Sequence, residues 1–128
     1  MPETSSLELA GGCHCGAVRF RVRLVDPTTI ICNCSICTMK GFAHLIVTRD
    51  ALTIEKGLDQ LSEYRFNTMT ARHTFCSNCG VHPFYVPRSH PDGWSVNRHC
   101  LDDQTYAASI PVQPFDGRAW ELHIESIR

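Results

Sequence analysis

The sequence lacks an excess of either charge: 12 Lys and Arg stand against 13 Asp and Glu, a formal net charge of -1. A nucleic-acid binder or a membrane-surface protein needs a basic field, and this composition supplies none. No apolar run approaches the roughly 20 residues of a spanning helix, although 43% of the chain is hydrophobic. The opening MPETSSLELAGG carries two acids, with no basic start and no apolar stretch of leader length, so a cytoplasmic location is expected. Windows longer than about ten residues with an i, i+3, i+4 apolar pattern are missing as well, which leaves helix a minor component. There is no linker, low-complexity stretch or domain-sized repeat, and 128 residues support one domain, 1–128. A chain of this size can bury a core of its own.

What the chain has is alternation in short stretches. Val18, Phe20, Val22 and Leu24 alternate with Arg19, Arg21 and Arg23, which predicts a half-buried strand with a basic, solvated outer face. Asp26 and Pro27 turn the chain, and Thr28 to Cys32 reads as a short strand. Phe42 to Thr48 shows no polar alternation and reads as a strand buried on both faces. Further strands are expected at Leu52 to Ile54, Leu61 to Phe66, Arg72 to Phe75, Val81 to Val86 and Trp94 to Cys100. Many short strands imply a mainly β, antiparallel fold with little helix. The segment 116–128 fits either a last strand or a short closing helix.

Eight cysteines are the anomaly. They serve either as disulfides in an oxidising compartment or as thiolate ligands in a reducing one. Clustering as C-x-C, C-x-C-x-x-C and C-x-x-C turns sulfurs from one loop toward a common centre, which suits a metal better than long cross-links. Cys13-His14-Cys15-Gly16 and Cys76-Ser77-Asn78-Cys79-Gly80 are two cysteine pairs each followed by glycine. Together Cys13, Cys15, Cys76 and Cys79 make a closed four-thiolate zinc site, a long-range clasp whose binding energy becomes folding energy. Cys32, Cys34 and Cys37 offer three sulfurs within six residues. Three protein ligands leave a fourth position for water or a substrate thiol, unless Cys100 or a histidine fills it and the site is structural. Spacing alone leaves other groupings of the eight sulfurs open.

The strings GGCHCGAVRF, CNCSIC and FCSNCG, in this order, resemble the glutathione-dependent formaldehyde-activating enzyme family. The resemblance spans Gly11 to at least Leu101, inside a motif-bearing core of residues 7–103. The later residues Phe84, Tyr85, Pro87, Arg88, Ser89, Pro91, Gly93, Cys100, Leu101, Asp102, Phe115, Gly117 and Trp120 look most like the branch that contains the centromere protein V core domain. The resemblance implies an Mss4-like β-tent organised around zinc sites. It implies a structural zinc on Cys13, Cys15, Cys76 and Cys79, and a catalytic zinc on Cys32, Cys34 and Cys37. It implies a carbon–sulfur lyase joining a thiol such as glutathione to formaldehyde or another small aldehyde. Asn33 and Thr38 stand where many relatives carry His and a basic residue, so the surroundings of the triad are altered. A different class of reading remains: a binding or scaffold module with two structural zincs and no chemistry.

Among the other polar residues, His14, His44, His73, His82, His90, His99 and His123 are scattered, and most are expected to be surface or hydrogen-bonded structural residues. His99 precedes Cys100 and is the one to watch for contact with substrate. Arg72, Arg88 and Arg98 offer guanidinium forks for the carboxylates of a glutathione-like ligand, though each also reads as an ordinary surface residue. Ser35 can donate to a thiolate of the triad or simply shape a turn. Trp94 and Trp120 read as core or lid aromatics.

Overall fold

A computed structural model describes residues 6–65 and 71–117. The strands are β1 (Ser6–Gly12), β2 (Arg19–Val25), β3 (Thr29–Cys32), β4 (His44–Thr48), β5 (Leu52–Lys56), β6 (Leu61–Tyr64), β7 (His73–Cys76), β8 (Phe84–Tyr85), β9 (Gly93–Asn97) and β10 (Val112–Phe115). Two short helices, α1 (Ser35–Lys40) and α2 (Gln104–Ser109), complete the regular structure, and the fold is mainly β as expected. Among the described residues no helix is long and apolar enough to cross a membrane.

The alternation at 18–24 does what its period dictates. β2 lies between β1 and β5 in an antiparallel sheet, and Val18, Phe20, Val22 and Leu24 are buried. Their arginine neighbours point outward and each meets carboxylates: Arg19 with Asp102, Arg21 with Glu8 and Glu55, Arg23 with Asp50. The basic row is therefore neutralised at the surface and is no anion-binding face; such exposed pairs contribute little to stability. The second sheet runs β10-β3-β4-β9-β8, and β6 pairs with β7 in a separate hairpin. The core forms where the inner face of β2 meets Leu45, Phe84 and Val96 of the second sheet. Phe20 and Phe84 meet edge to face with centroids 5.8 Å apart, and Trp94 packs on Phe84 at 5.3 Å, the core role expected of it. Replacing Phe20 by Ala is expected to cost about 4 kcal/mol, from lost transfer energy plus a cavity. Arg21→Ala on the opposite face of the same strand should stay within about 0.5 kcal/mol. Urea midpoints on the two variants check the inside and outside assignment.

Several elements depart from the sequence reading. β10 pairs with β3 in parallel, so the sheet is not wholly antiparallel. β4 is buried only at His44 and Leu45 and opens toward solvent beyond them. The strand expected at 81–86 shrinks to two residues, because His82 and Pro83 leave the turn that follows Cys79 before pairing begins. The strand expected to reach Cys100 ends at Asn97, whose Oδ1 accepts the His99 N–H at 3.1 Å and starts a 3-10 turn over Arg98–Cys100. Both α-helices are six residues long, too short for a periodicity test to register. Most of the 116–128 segment, Trp120 and His123 included, lies outside the described residues.

Candidate metal centres

Two loops of like construction carry the first four sulfurs. The Cys13 N–H donates to Val18 O at 3.1 Å, and the Cys76 N–H to Val81 O at 2.9 Å. The amides of Gly16 and Gly80 turn back to Cys13 O and Cys76 O at 3.3 and 2.8 Å. Both glycines hold left-handed backbone, φ +81° and +78°, which other residues adopt at a cost of roughly 1 kcal/mol or more. This is the turn anticipated from a cysteine pair followed by glycine. The four Sγ atoms of Cys13, Cys15, Cys76 and Cys79 lie within 4.8 Å of one another. Cys13 is 3.6 Å from Cys15, and Cys15 is 3.7 Å from Cys76. Zinc–sulfur bonds of about 2.3 Å at tetrahedral angles put neighbouring sulfurs about 3.8 Å apart, so the donor set fits such an ion. The amides also fit thiolates rather than thiols. Val18 N–H points at Cys13 Sγ from 3.2 Å, and amides of Ala17, Cys79 and Val81 donate to Cys15, Cys76 and Cys79. Hydrogen bonds from the Asn78 side chain and the Ala17 amide hold the Cys15 thiol down at about 6.

The middle cysteines stand where β3 hands over to α1. Cys32 ends the strand, Cys34 is the extended residue that caps the helix, and Cys37 is buried one turn inside it. Their sulfurs again lie within 4.8 Å of one another. The Cys34 amide donates to Cys32, and the Cys37 amide to Cys34, so local backbone geometry turns donors onto the sulfurs. The three thiols compete for protons. Hydrogen bonds from Cys32 and Cys37 pull Cys34 down, while Cys37, facing both neighbours from a buried position, goes up. On the far side Gly117 closes in: a Cβ built there would sit 2.3 Å from Cys32 Sγ and 3.0 Å from Cys34 Cβ. Only a residue without a side chain permits this approach. Among the described residues no fourth ligand atom joins the group.

The walls of this centre are residues that the sequence did not place beside the triad; His44 and His73 are the hydrogen-bonded kind expected of most of the histidines. His44 is buried with Nε2 3.2 Å from Cys37 Sγ and Nδ1 2.9 Å from Ser95 Oγ. Burial, helped by nearby Lys40, drops the His44 pKa to about 3 and keeps the ring neutral. A thiolate at Cys37 takes Nε2–H as donor, which leaves Nδ1 to accept from Ser95. Tyr85 OH lies 3.4 Å from the same Nδ1, and burial raises that phenol well above its usual value. His73 stacks on Tyr85 at 4.7 Å, and burial lowers it to about 4. Lys40, on the same helix as Cys37, brings Nζ to 3.1 Å from His73 Nδ1 and 4.1 Å from the Tyr85 ring centre. The sequence signals were weak: one lysine at the end of CTMK, and a histidine opening an apolar strand, which usually marks a satisfied core residue.

The other candidates fall elsewhere. Cys100 belongs to the neighbourhood of the four-sulfur group, where its burial, helped by Cys13 and Cys79, raises it to about 12. Its thiol points at His82 O from 3.7 Å. His99 is exposed on the 3-10 turn. Arg72 is committed to Glu63 at 2.7 Å. Arg98 and Arg88 are half-buried, and the Arg98 amide donates to Ala43 O at 2.9 Å. Ser35 is the exposed first residue of α1. Asn33 donates to Asp116 at 3.0 Å, on the Gly117 side of the triad.

A family model described as glutathione-dependent formaldehyde-activating enzyme matches residues 8–114. The chain belongs to that family. A protein of Halomonas elongata, named "Putative glutathione-dependent formaldehyde-activating enzyme", is 37% identical over 98 residues, 59% of this chain. The match spans 62% of the length of that curated relative. The crystal structure of a Rhodobacter sphaeroides protein superposes with a TM-score of 0.70 at 32% identity, covering 82% of this chain and 100% of the other. The family match takes in both sulfur groups and the residues His44, Ser95, Tyr85, His73 and Lys40 around the second; Gly117 lies just beyond its end.

Proposed function

We propose that the chain is a single zinc-organised domain acting in the cytoplasm as a carbon–sulfur lyase, which joins a thiol such as glutathione to formaldehyde or another small aldehyde, or runs the reverse. The observation that carries this reading is an asymmetry between two otherwise similar centres. One has four sulfurs and is complete; the other has three, with no fourth ligand among the described residues. Cys13, Cys15, Cys76 and Cys79 would hold a structural zinc, and Cys32, Cys34 and Cys37 a catalytic one. A zinc ion on the triad supplies an open position that lowers the pKa of a substrate thiol and fixes its sulfur. In the reaction the sulfur forms a bond to the carbonyl carbon, the C=O pair moves to oxygen, and the proton lost from the thiol is matched by one delivered to that oxygen. Three thiolate donors outweigh the charge of the ion and leave the centre net negative, so orientation of the two reactants is the larger contribution asked of the protein. His44, locked by Ser95, holds Cys37, and Gly117 leaves Cys32 room.

The test is a pair of titrations, zinc and glutathione, on the wild type and on Cys100→Ser. Two zinc ions per chain, glutathione binding, and no change in zinc content in the variant are expected, because Cys100 lies outside both sulfur groups. One zinc or none after metal-replete expression would sink the two-centre assignment. Tight zinc with no thiol binding would favour the scaffold reading, in which both ions are structural.

A further inference from the structure

Lys40 stands out among the charged residues. Its side chain is half-buried and lies against two aromatic rings, with Nζ 4.6 Å from the centre of Phe42 and 4.1 Å from that of Tyr85. Burying an ammonium is costly without an opposite charge. Among the described residues no carboxylate forms an ion pair with it, although Arg19, Arg21, Arg23, Arg65 and Arg72 all have one. The nearby groups that would carry opposite charge, once a metal holds them as thiolates, are the sulfurs of Cys34 and Cys37. Lys40 follows Cys37 by three residues on α1, a spacing that puts both on one helix face. One N–H is engaged by His73 Nδ1 at 3.1 Å, and an ammonium has three. His73 is itself held flat against Tyr85, with 13° between the rings, so the lysine head is fixed by a rigid partner. A cation on the helix that carries Cys37, one turn beyond it and with donors to spare, has the chemistry to meet an oxygen on which negative charge develops.

We infer that Lys40 is a catalytic residue that receives the aldehyde, donating from Nζ to its carbonyl oxygen as the carbon–sulfur bond forms. This rests on the lyase reading above and adds to it the group that handles the oxygen. As sulfur attacks carbon, the C=O electron pair moves to oxygen and takes a proton from the Lys40 ammonium, giving the hydroxyl of the hemithioacetal. The proton released by the next incoming thiol restores the ammonium. In reverse the Lys40 amine takes the hydroxyl proton, the C=O bond reforms, and the carbon–sulfur bond breaks. Packed against Phe42 and Tyr85, the donor is partly shielded from water, which strengthens such a contact.

Three variants, Lys40→Met, Lys40→Gln and Lys40→Arg, are compared with the wild type for zinc content, glutathione affinity and turnover of glutathione with formaldehyde. Lys40→Met should keep two zinc ions and bind glutathione within about threefold of the wild type, while kcat/KM for formaldehyde falls about 100-fold, the usual cost of losing one such donor. Lys40→Arg should recover part of that loss. Turnover unchanged in Lys40→Met overturns the proposal. So does a loss confined to glutathione affinity with kcat retained, which would make Lys40 a charge partner of the sulfurs. Loss of metal from both Lys40→Met and Lys40→Gln also overturns it, by assigning the side chain to holding the site together. A wild type that binds zinc but turns over no thiol–aldehyde pair overturns the lyase reading itself, and this proposal with it; an active wild type with equally active variants removes only the proposal.

Discussion

Cys76→Ser is expected to leave the chain largely unfolded at neutral pH. Cys76 is fully buried at the end of β7, and its sulfur lies 3.7 Å from that of Cys15, a residue 61 positions earlier in the chain. The four-sulfur group therefore joins the loop after β1 to the hairpin β6-β7. Apparent zinc-binding free energies at such sites are on the order of 10 kcal/mol or more. The whole stability of a domain this size is about 5–15 kcal/mol. Removing one thiolate, and leaving its buried amide donors unpaired, takes away a term as large as the total. Far-UV circular dichroism and zinc content on the purified variant are the measurement. A folded spectrum with a melting temperature within a few degrees of the wild type would contradict the structural assignment. Strong chelators should have the same effect on the wild type, since Cys15 is exposed and Cys79 half-buried.

How far the sequence could be read depended on the range of the interaction. Cys13 with Cys15, and Cys32 with Cys34 and Cys37, are brought together by one turn of backbone, so their spacing already encodes their geometry. The left-handed glycines Gly16 and Gly80 are encoded in the same way, as the residue each turn needs. β2 was legible because its period of two is a local property of one segment. By contrast the Cys37–His44–Ser95 chain and the Lys40–His73 contact are fixed by the pairing of β4 with β9 and of β7 with its neighbours. No pattern within one segment reports which histidine of seven will face a sulfur. The parallel pairing of β10 with β3 was hidden for a similar reason, and the prolines at 111 and 114 further disguise that strand. α1 was invisible to periodicity because it is a single capped turn and a half, stopped by Gly41, whose amide donates to Cys37 O and Thr38 O.

The two centres should respond differently to loss of one sulfur. Cys34→Ser is expected to lower zinc content from two ions to one and to abolish thiol binding, while the far-UV spectrum stays that of the folded protein. Cys32, Cys34 and Cys37 span six residues and close no long loop, so their metal adds little to the closure of the fold. α1 keeps its own supports, the Gly41 cap and the burial of Cys37. The same end point should be reached from the backbone side. Gly117→Ala puts a methyl where Cys32 Sγ now sits, 2.3 Å away, against Cys34 Cβ and the Cys34 amide as well. The sulfur must swing out of the group or the 116–117 turn must retreat. Either movement should weaken the second metal by about 10- to 100-fold, the range typical of a disturbed ligand support. Competition against a colorimetric chelator reads both affinities in one protein, with the four-sulfur centre as the internal reference. Equal loss of both ions, or of folded structure, in Cys34→Ser and Gly117→Ala would mean that the triad too is part of the scaffold. It would then be a second structural clasp, and the open fourth position would have no chemistry to perform.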